Sequence, residues 1–328
     1  MNIYLGINLS GYQIMVGEIT EKGTLLRKKE YRLDYFNQES AFEIIKALLN
    51  DYRAESDWEK QRPVAIGVGL IGRVDADEGI WYQIDPQRTH PINLAAELTE
   101  WTGIPCFIDN DVKSAARAVI KWGLGRKTQD FIYIYVGTGI AASLVINGRQ
   151  VRGSHFNAGE VGHLRVGVQV GLRCPCGRMD CVETIASSVG LDRQARFLCK
   201  YYDTALVIPP LGERIQVSEV FRLCQQGDPL CRKLVDNAAE AMANLIMDLV
   251  RVSDPDTVIL GGEVVADGFL LERIREKLQA VTVRFVTGGV VLTQLDPQLI
   301  SLLGAGAVAI DGMEKNKTKK NDSGQAKR

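Results

Sequence analysis

The sequence lacks any apolar run of the roughly 20 residues that a membrane-spanning helix needs. Its N-terminus also lacks a basic start followed by an uninterrupted apolar stretch, which argues against a secretory leader. The sequence also lacks an excess of charge of either sign, since 39 Lys and Arg are balanced by 40 Asp and Glu, which gives a net charge of -1. This balance argues against a strong overall attraction to nucleic acid or to anionic membranes. We therefore expect a cytoplasmic protein without a membrane partner.

The chain is long for a single hydrophobic core, because 328 residues are normally divided between two domains. Its 46% apolar and 24% charged residues are ordinary for a globular protein. Residues 3–19 predict two strands joined by a glycine turn, and residues 131–146 predict the same arrangement around Gly-Thr-Gly. Segments with helical apolar spacing lie between the strands. We predict an α/β protein with two related lobes.

Cysteine is scarce but unevenly placed. Three of the seven cysteines, Cys174, Cys176 and Cys181, fall within eight residues, around a Pro and a Gly that suit a tight knuckle. In a chain without a leader, such a cluster favours reduced thiols or a metal over a disulfide framework. His163 precedes Cys174 by ten intervening residues, and three thiolates with one imidazole are a suitable ligand set for structural Zn2+.

Two alternatives to this ligand set remain open. The cysteines and the histidine could be unrelated, as scattered free thiols often are. The fourth ligand could also be His90 or His155, although neither lies in a stretch as rich in glycine as the segment that contains His163.

Residues 157–166, NAGEVGHLRV, and residues 173–187, RCPCGRMDCVETIAS, resemble the signature of the ROK family of bacterial sugar kinases and sugar-responsive repressors. The resemblance extends from the start of the chain to about residue 312. It implies a two-lobed actin-like (ribonuclease H-like) ATPase fold with a structural zinc knuckle. The implied domains are an N-terminal lobe of residues 1–117, a larger lobe of residues 118–299 that carries the knuckle, a terminal helix of residues 300–313 that returns to the first lobe, and a disordered basic tail of residues 314–328.

The resemblance also implies roles for individual residues. Asp111 would be the general base for a sugar hydroxyl. Other sugar hydroxyls would be bound by Asn110, Glu160, His163 and Glu183. The nucleotide would be bound by Asn8, Ser10, Gly11, Tyr12, Gly137, Thr138, Gly139, Gly261, Gly262 and Gly304. Zinc would be bound by His163, Cys174, Cys176 and Cys181. From the sequence alone, Asp111 could equally be the N-cap of the helix that follows it.

Three departures from the family pattern concern the nucleotide and the knuckle. The kinases of the family typically have Asp-x-Gly-Gly-Thr-Lys in the first phosphate loop, whereas residues 8–13 are NLSGYQ. An amide at Asn8 lacks the charge that makes a carboxylate the usual partner of Mg2+. Ala141 and Ala142 stand where the family tends to have Gly, and Asp180 replaces a Gly of the knuckle.

Two hypotheses follow from this pattern. The first is a kinase for a hexose or an N-acetylhexosamine that uses ATP with Mg2+. The second is a sugar-binding sensor that has lost efficient catalysis. Repressors of the family usually carry an N-terminal DNA-binding domain, and none is expected here because the first predicted strand begins at Ile3. We also expect a homodimer, since proteins of this family often form one.

Overall fold

The computed structural model describes residues 1–11, 13–33, 37–56, 58, 61–84 and 89–325. The strands are β1 Ile3–Ser10, β2 Gln13–Thr20, β3 Leu25–Arg32, β4 Ala65–Leu70, β5 Arg73–Asp75, β6 Ile80–Gln83, β7 Cys106–Asn110, β8 Phe131–Val136, β9 Ile140–Ile146, β10 Arg149–Gln150, β11 Thr257–Gly261 and β12 Gly289–Leu292. The helices are α1 Gln38–Glu55, α2 Leu94–Thr102, α3 Asp111–Trp122, α4 Val182–Ala186, α5 Ser188–Leu198, α6 Val217–Gln225, α7 Pro229–Ser253, α8 Phe269–Lys277 and α9 Ile300–Gln325.

The chain folds as two compact units, each with its own hydrophobic core. Unit 1 contains Met1–Arg126, Ser154–Asn157 and the chain from Leu299 onward, and unit 2 contains Lys127–Gly153 and Ala158–Gln298. The first boundary lies after α3 rather than at residue 117, because that helix is continuous to Trp122. The fold is therefore of the mixed α/β type that the sequence predicts.

Both units contain a five-stranded sheet with the same strand order. Unit 1 has the order β3-β2-β1-β4-β7, and unit 2 has β10-β9-β8-β11-β12. In each sheet the first three strands form an antiparallel meander, and the other two run parallel to the first strand. The common plan that the sequence predicts for the two halves is thus confirmed. A separate two-stranded sheet, β5-β6, was not predicted.

Burial along the strands follows their position in the sheet. Seven of the eight residues of the central strand β1 are buried. Helices cover both faces of the sheet where its strands run parallel. In the edge strand β3, half-buried and exposed residues alternate, and lysines and arginines occupy much of it. Charged side chains on an edge strand discourage pairing with other chains. None of the described helices is both long and apolar enough to cross a membrane.

Helix α9 completes unit 1 by packing against β4 and α3. A Cβ at Gly67 of β4 would collide with the carbonyl oxygen of Ala305, and a Cβ at Gly304 would collide with the backbone of Ser114. Only glycine allows these backbones to approach so closely. Gly304 therefore has a packing reason to be glycine, and its predicted contact with a nucleotide stays a prediction. The helix continues to Gln325, into the segment for which we expected disorder, since extending a helix needs no new nucleus.

An ion-pair network that is buried at Asp109 and partly exposed at Lys121 and Asp311 joins β7, α3 and α9 within unit 1. The Nε atom of Arg117 lies 2.9 Å from Oδ2 of Asp109, whose side chain has no exposed surface. The other end of the guanidinium lies 2.8 Å from Oδ2 of Asp311, and Nζ of Lys121 lies 2.9 Å from Oδ1 of the same residue. The network holds α9 and α3 to the end of β7, directly before the predicted catalytic residues.

We expect Arg117→Met to lower the free energy of unfolding by about 3–5 kcal/mol, because it removes the Arg117 cation from the buried Asp109 carboxylate. Urea unfolding of the purified protein measures this loss. The matched control is Lys28→Met, which removes a cation from an exposed pair with Glu30 and should change stability little. Equal small losses in both variants would show that the network contributes no more than a surface pair.

Candidate functional site

Parallel pairing in unit 1 brings the ends of β1, β4 and β7 to one edge of the sheet. Leu70 lies opposite Asn110, and Leu9 lies opposite Leu70, so Asn8 and the segment Asn110–Asp111 are separated only by the end of β4. The carboxyl edge of a parallel sheet is where ligands bind in open α/β folds. The structure therefore groups the predicted general base and the start of the first phosphate loop at such an edge.

Asn110, and not Asp111, caps helix α3. Its Oδ1 accepts hydrogen bonds from the backbone amides of Val112 and Lys113 at 3.1 and 3.2 Å. Its Nδ2 donates to the carbonyl oxygen of Gly72 at 3.1 Å. The alternative in which Asp111 is the N-cap is therefore wrong. Asp111 is the first residue of the helix and is half-buried, and its Oδ1 accepts a hydrogen bond from the backbone amide of Val112 at 2.9 Å.

The first phosphate loop has an unusual buried amide. Asn8 is 1% exposed, and its Nδ2 donates to Oγ of Ser10 at 3.2 Å. Its Oδ1 has no hydrogen-bond partner among the described residues, and neither has the buried Oγ of Ser114. Gly11 adopts a left-handed backbone with φ +54°. Tyr12, which the resemblance also assigns to this loop, lies outside the described residues.

In unit 2 the two predicted nucleotide loops are neighbours. Gly137, Thr138 and Gly139 form the turn between β8 and β9, and Gly261 and Gly262 follow at the carboxyl end of β11, which pairs in parallel with β8. A Cβ at Gly262 would collide with the carbonyl oxygen of Val136. A cavity of about 230 Å³ opens beside this second loop, at the carboxyl ends of β11 and β12.

Glu183 follows the cysteine cluster in the chain and contacts the Gly137–Gly139 turn. Its Oε2 accepts a hydrogen bond from the backbone amide of Ile140 at 3.0 Å. A Cβ at Gly139 would approach the same oxygen to 2.7 Å, so a larger residue there would displace the Glu183 carboxylate. The backbone amide of Ser188 also donates to the carbonyl oxygen of Gly137 at 2.8 Å. The segment after Cys181 therefore fixes the shape of the turn.

His163, Cys174, Cys176 and Cys181 converge in unit 2. Their ligand atoms all lie within 4.8 Å of one another. Nδ1 of His163 is 3.5 Å from Sγ of Cys174, and Sγ of Cys176 is 3.6 Å from Sγ of Cys181. Tetrahedral zinc with Zn–S bonds of about 2.3 Å requires sulfur atoms about 3.8 Å apart and sulfur–nitrogen distances of about 3.5 Å. The cluster fits zinc in donor type and in spacing.

The protonation of the thiols follows their burial. Burial raises the pKa of Cys174 and raises the pKa of Cys181 to about 12. Burial acts in the same direction on Cys176, but hydrogen bonds from the backbone of Arg178 and from the other two thiols lower the pKa of Cys176. Thiols bind zinc as thiolates, so metal binding releases protons from this cluster.

The two ring nitrogens of His163 face different groups. Nδ1 points to the thiols, whereas Nε2 lies 3.9 Å from Oε2 of Glu160. Both side chains are partly accessible, at 36% for His163 and 50% for Glu160. An imidazole that binds a metal through one nitrogen can use the other as a hydrogen-bonding group, since the two nitrogens are distinct.

Asp180 explains one departure from the family pattern. Its φ is +54°, a left-handed conformation that glycine adopts readily and aspartate tolerates. The side chain is buried, and Oδ1 accepts hydrogen bonds from the backbone amides of Val170, Gly171 and Leu172 at 3.2, 2.8 and 2.9 Å. The residue keeps the backbone shape that the knuckle needs and adds an acceptor that three backbone amides share.

Three comparisons with known proteins agree on one family. A model of the ROK family matches residues 4–311. A glucokinase from Halalkalibacterium halodurans is 27% identical over 295 residues, which are 87% of this chain and 88% of the relative. The DNA-binding transcriptional dual regulator NagC from Escherichia coli K12 is 25% identical over 307 residues, 93% of this chain and 74% of the relative.

The solved structures include a ROK family glucokinase from Streptomyces griseus in complex with glucose and AMPPNP. It matches with a TM-score of 0.72 and 25% identity, and the match covers 94% of this chain and all of the neighbour. This likeness agrees with the shared strand order of the two sheets, and it assigns the fold to the actin-like ATPase class.

We expect Cys176→Ser to reduce the zinc content of the purified protein from about one ion per chain to a small fraction, because it removes one of four ligands. Cys176 is the exposed cysteine of the cluster, so the substitution itself disturbs little packing. Elemental analysis measures the metal. The control is Cys224→Ser, a buried thiol outside the cluster, which should keep its metal. Equal zinc contents in the two variants would exclude Cys176 as a ligand.

Proposed function

Because the chain belongs to the ROK family, we propose that it is a sugar kinase, which transfers the γ-phosphoryl group of ATP to a hydroxyl of a hexose or an N-acetylhexosamine. The observation that carries this proposal is the position of Asp111. Asn110 takes over the capping of α3, and Asp111 stands at the carboxyl edge of the parallel sheet with its carboxylate at the positive end of the helix. Ligands bind at the carboxyl edge of an open α/β sheet, so a carboxylate there can reach a sugar hydroxyl.

In the proposed reaction, Asp111 accepts the proton of the sugar hydroxyl as its oxygen attacks the γ-phosphorus. A new O–P bond forms, the bond between the β,γ-bridging oxygen and the γ-phosphorus breaks, and ADP leaves. Phosphoryl transfer depends mainly on positioning and on neutralisation of charge. Asn110 contributes by fixing the start of α3 through its bonds to Val112, Lys113 and Gly72.

We assign sugar recognition to Asn110 and to three side chains of unit 2: Glu160, His163 and Glu183. Carboxylates, an amide and an imidazole are the polar groups expected to bind a ligand with many hydroxyls. His163 uses Nε2 for this purpose, since its Nδ1 faces the thiols. Zinc at the cluster would be structural: when bound, it holds the backbone that presents Glu160, His163 and Glu183.

We assign the nucleotide to the glycine loops. Gly137, Thr138 and Gly139 are proposed to offer backbone amides to the phosphates, and Gly261 and Gly262 to leave space for the adenosine. Glycine suits both loops because it lets backbone groups come close to a ligand. Mg2+ would accompany ATP and neutralise the phosphate charge. A homodimer also remains our prediction.

A second candidate function is a sugar-binding sensor with little or no catalysis, and Asn8 is the observation that favours it. The amide is uncharged, and its buried Oδ1 has no partner among the described residues. It can accept a hydrogen bond from a water, but it provides no charge to hold Mg2+. A relative named as a transcriptional regulator is similar over 93% of this chain, which supports the same alternative.

We expect Asp111→Asn to lower the rate of sugar-dependent ADP release by 10²–10⁴-fold and to leave sugar affinity nearly unchanged, because the amide cannot accept the proton. A coupled ADP assay with ATP, Mg2+ and a panel of sugars measures the rate. The control is Asp51→Asn, an exposed aspartate of α1 that pairs with Lys29. If the wild type releases no more ADP than Asp111→Asn while binding a sugar tightly, the sensor replaces the kinase.

A further inference from the structure

Arg73 lies beside the predicted catalytic residues and has no anionic partner among the residues that the structure describes. It is the first residue of β5, and its guanidinium carbon lies 4.7 Å above the ring centre of Tyr82. One terminal nitrogen donates to Oε1 of Gln83 at 3.3 Å. The buried Nε has no acceptor among the described residues, and none of their carboxylates lies within ion-pair distance of the guanidinium.

A series of contacts in unit 1 links this arginine to the start of α3. Gly72 accepts the hydrogen bond from Asn110, and Arg73 follows Gly72 in the chain. The ring of Tyr82 stacks on Phe156, with centroids 6.5 Å apart and planes inclined by 15°. The carbonyl oxygen of Phe156 accepts a hydrogen bond from Nζ of Lys113 at 3.2 Å, and Lys113 is two residues after Asp111. Arg73 and the predicted base therefore belong to one local structure.

Two described charged residues of unit 1, Asp75 and Lys113, do not neutralise Arg73. Asp75 is buried on the same strand, but its Oδ1 accepts from the backbone amides of Asp77 and Glu78, both at 3.0 Å. Lys113 adds a second, buried cation to the region. A partly buried cation without an anion costs free energy, and an anionic ligand would recover it.

The stacking on Tyr82 also fixes the plane of the guanidinium. A planar, pre-oriented fork of N–H donors matches a carboxylate or a phosphate, which it binds with two parallel hydrogen bonds. A neutral hydroxyl would use only one of these donors and would leave the charge without a partner. The donors of Arg73 that have no acceptor among the described residues therefore favour an anionic group over a neutral one.

Building on the proposed function, we propose that Arg73 determines substrate specificity by binding an anionic substituent of the sugar, a carboxylate or a phosphate. Tyr82 and Phe156 are positioning residues that hold the guanidinium in place. The substrate class is then an acidic sugar, in which one end of the molecule pairs with Arg73 and a hydroxyl lies near Asp111.

The test compares matched sugars on the wild type and on variants of Arg73. The probes are glucose, mannose and galactose, together with the uronate and the 6-phosphate of each. Isothermal titration calorimetry at low and at high KCl concentration measures their affinities. We expect one acidic member to bind at least tenfold more tightly than its neutral parent at low salt. Arg73→Met should abolish that preference and leave the affinity for the neutral parent unchanged, whereas Arg73→Lys should retain part of it.

Arg32→Met, which removes an exposed arginine of β3, is the matched control and should keep the preference. The thermal unfolding midpoint of Arg73→Met without ligand shows that the variant is folded. Comparison of the uronates with the 6-phosphates shows whether Arg73 binds a carboxylate or a phosphate. Equal affinities for acidic and neutral sugars, or a preference that survives Arg73→Met, overturn the inference and leave the kinase proposal standing if ADP is released. Binding of none of these sugars overturns the inference, and the ADP assay decides the kinase proposal separately.

Discussion

The parallel pairing of strands is the constraint from which the rest of the site follows. Because β4 and β7 run parallel to β1, their carboxyl ends meet at one edge, and side chains far apart in sequence such as Asn8 and Asn110 come together there. The same arrangement in unit 2 places Gly137–Gly139 beside Gly261–Gly262. Backbone hydrogen bonds position these groups, so their side chains can bind ligands or stabilise loops. Each unit thus has a candidate functional edge of its own.

The sequence predicts the meander, the main helices and the metal cluster because each has a strong local signal. Apolar runs bounded by glycine mark β1, β4 and β8, and thiols a few residues apart mark the knuckle. The small sheet β5-β6 has no such signal, since strands of three and four residues are too short for a period to emerge. It carries Arg73 and Tyr82, whose importance depends on a stacking contact with Phe156 that only the fold creates.

Glu183 and Asn110 show why roles are harder to predict than positions. The sequence suggests both as sugar ligands, and the structure gives each a second task. Glu183 accepts from the amide of Ile140, 43 residues away, and so supports the phosphate turn. Asn110 caps α3, and Asp111 is the first residue of the helix and also accepts from the amide of Val112. The Glu183 bond joins segments that only the fold brings together. The capping bonds of Asn110 are local, but the sequence alone does not decide whether Asn110 or Asp111 is the capping residue.

The way in which α9 completes unit 1 has a consequence for synthesis on the ribosome. Arg117 and Asp311, which share a charge-assisted hydrogen bond, are 194 positions apart. At a translation rate of 5–20 residues per second, about 10–40 s separate the appearance of the two side chains. During that interval α9 is absent, so the glycine-lined face of β4 in the nascent first sheet stays uncovered. The sequence of unit 2 lies almost wholly between Arg117 and Asp311, so unit 2 can already fold. The N-terminal unit is thus the last to mature, and it is the one that needs protection from aggregation.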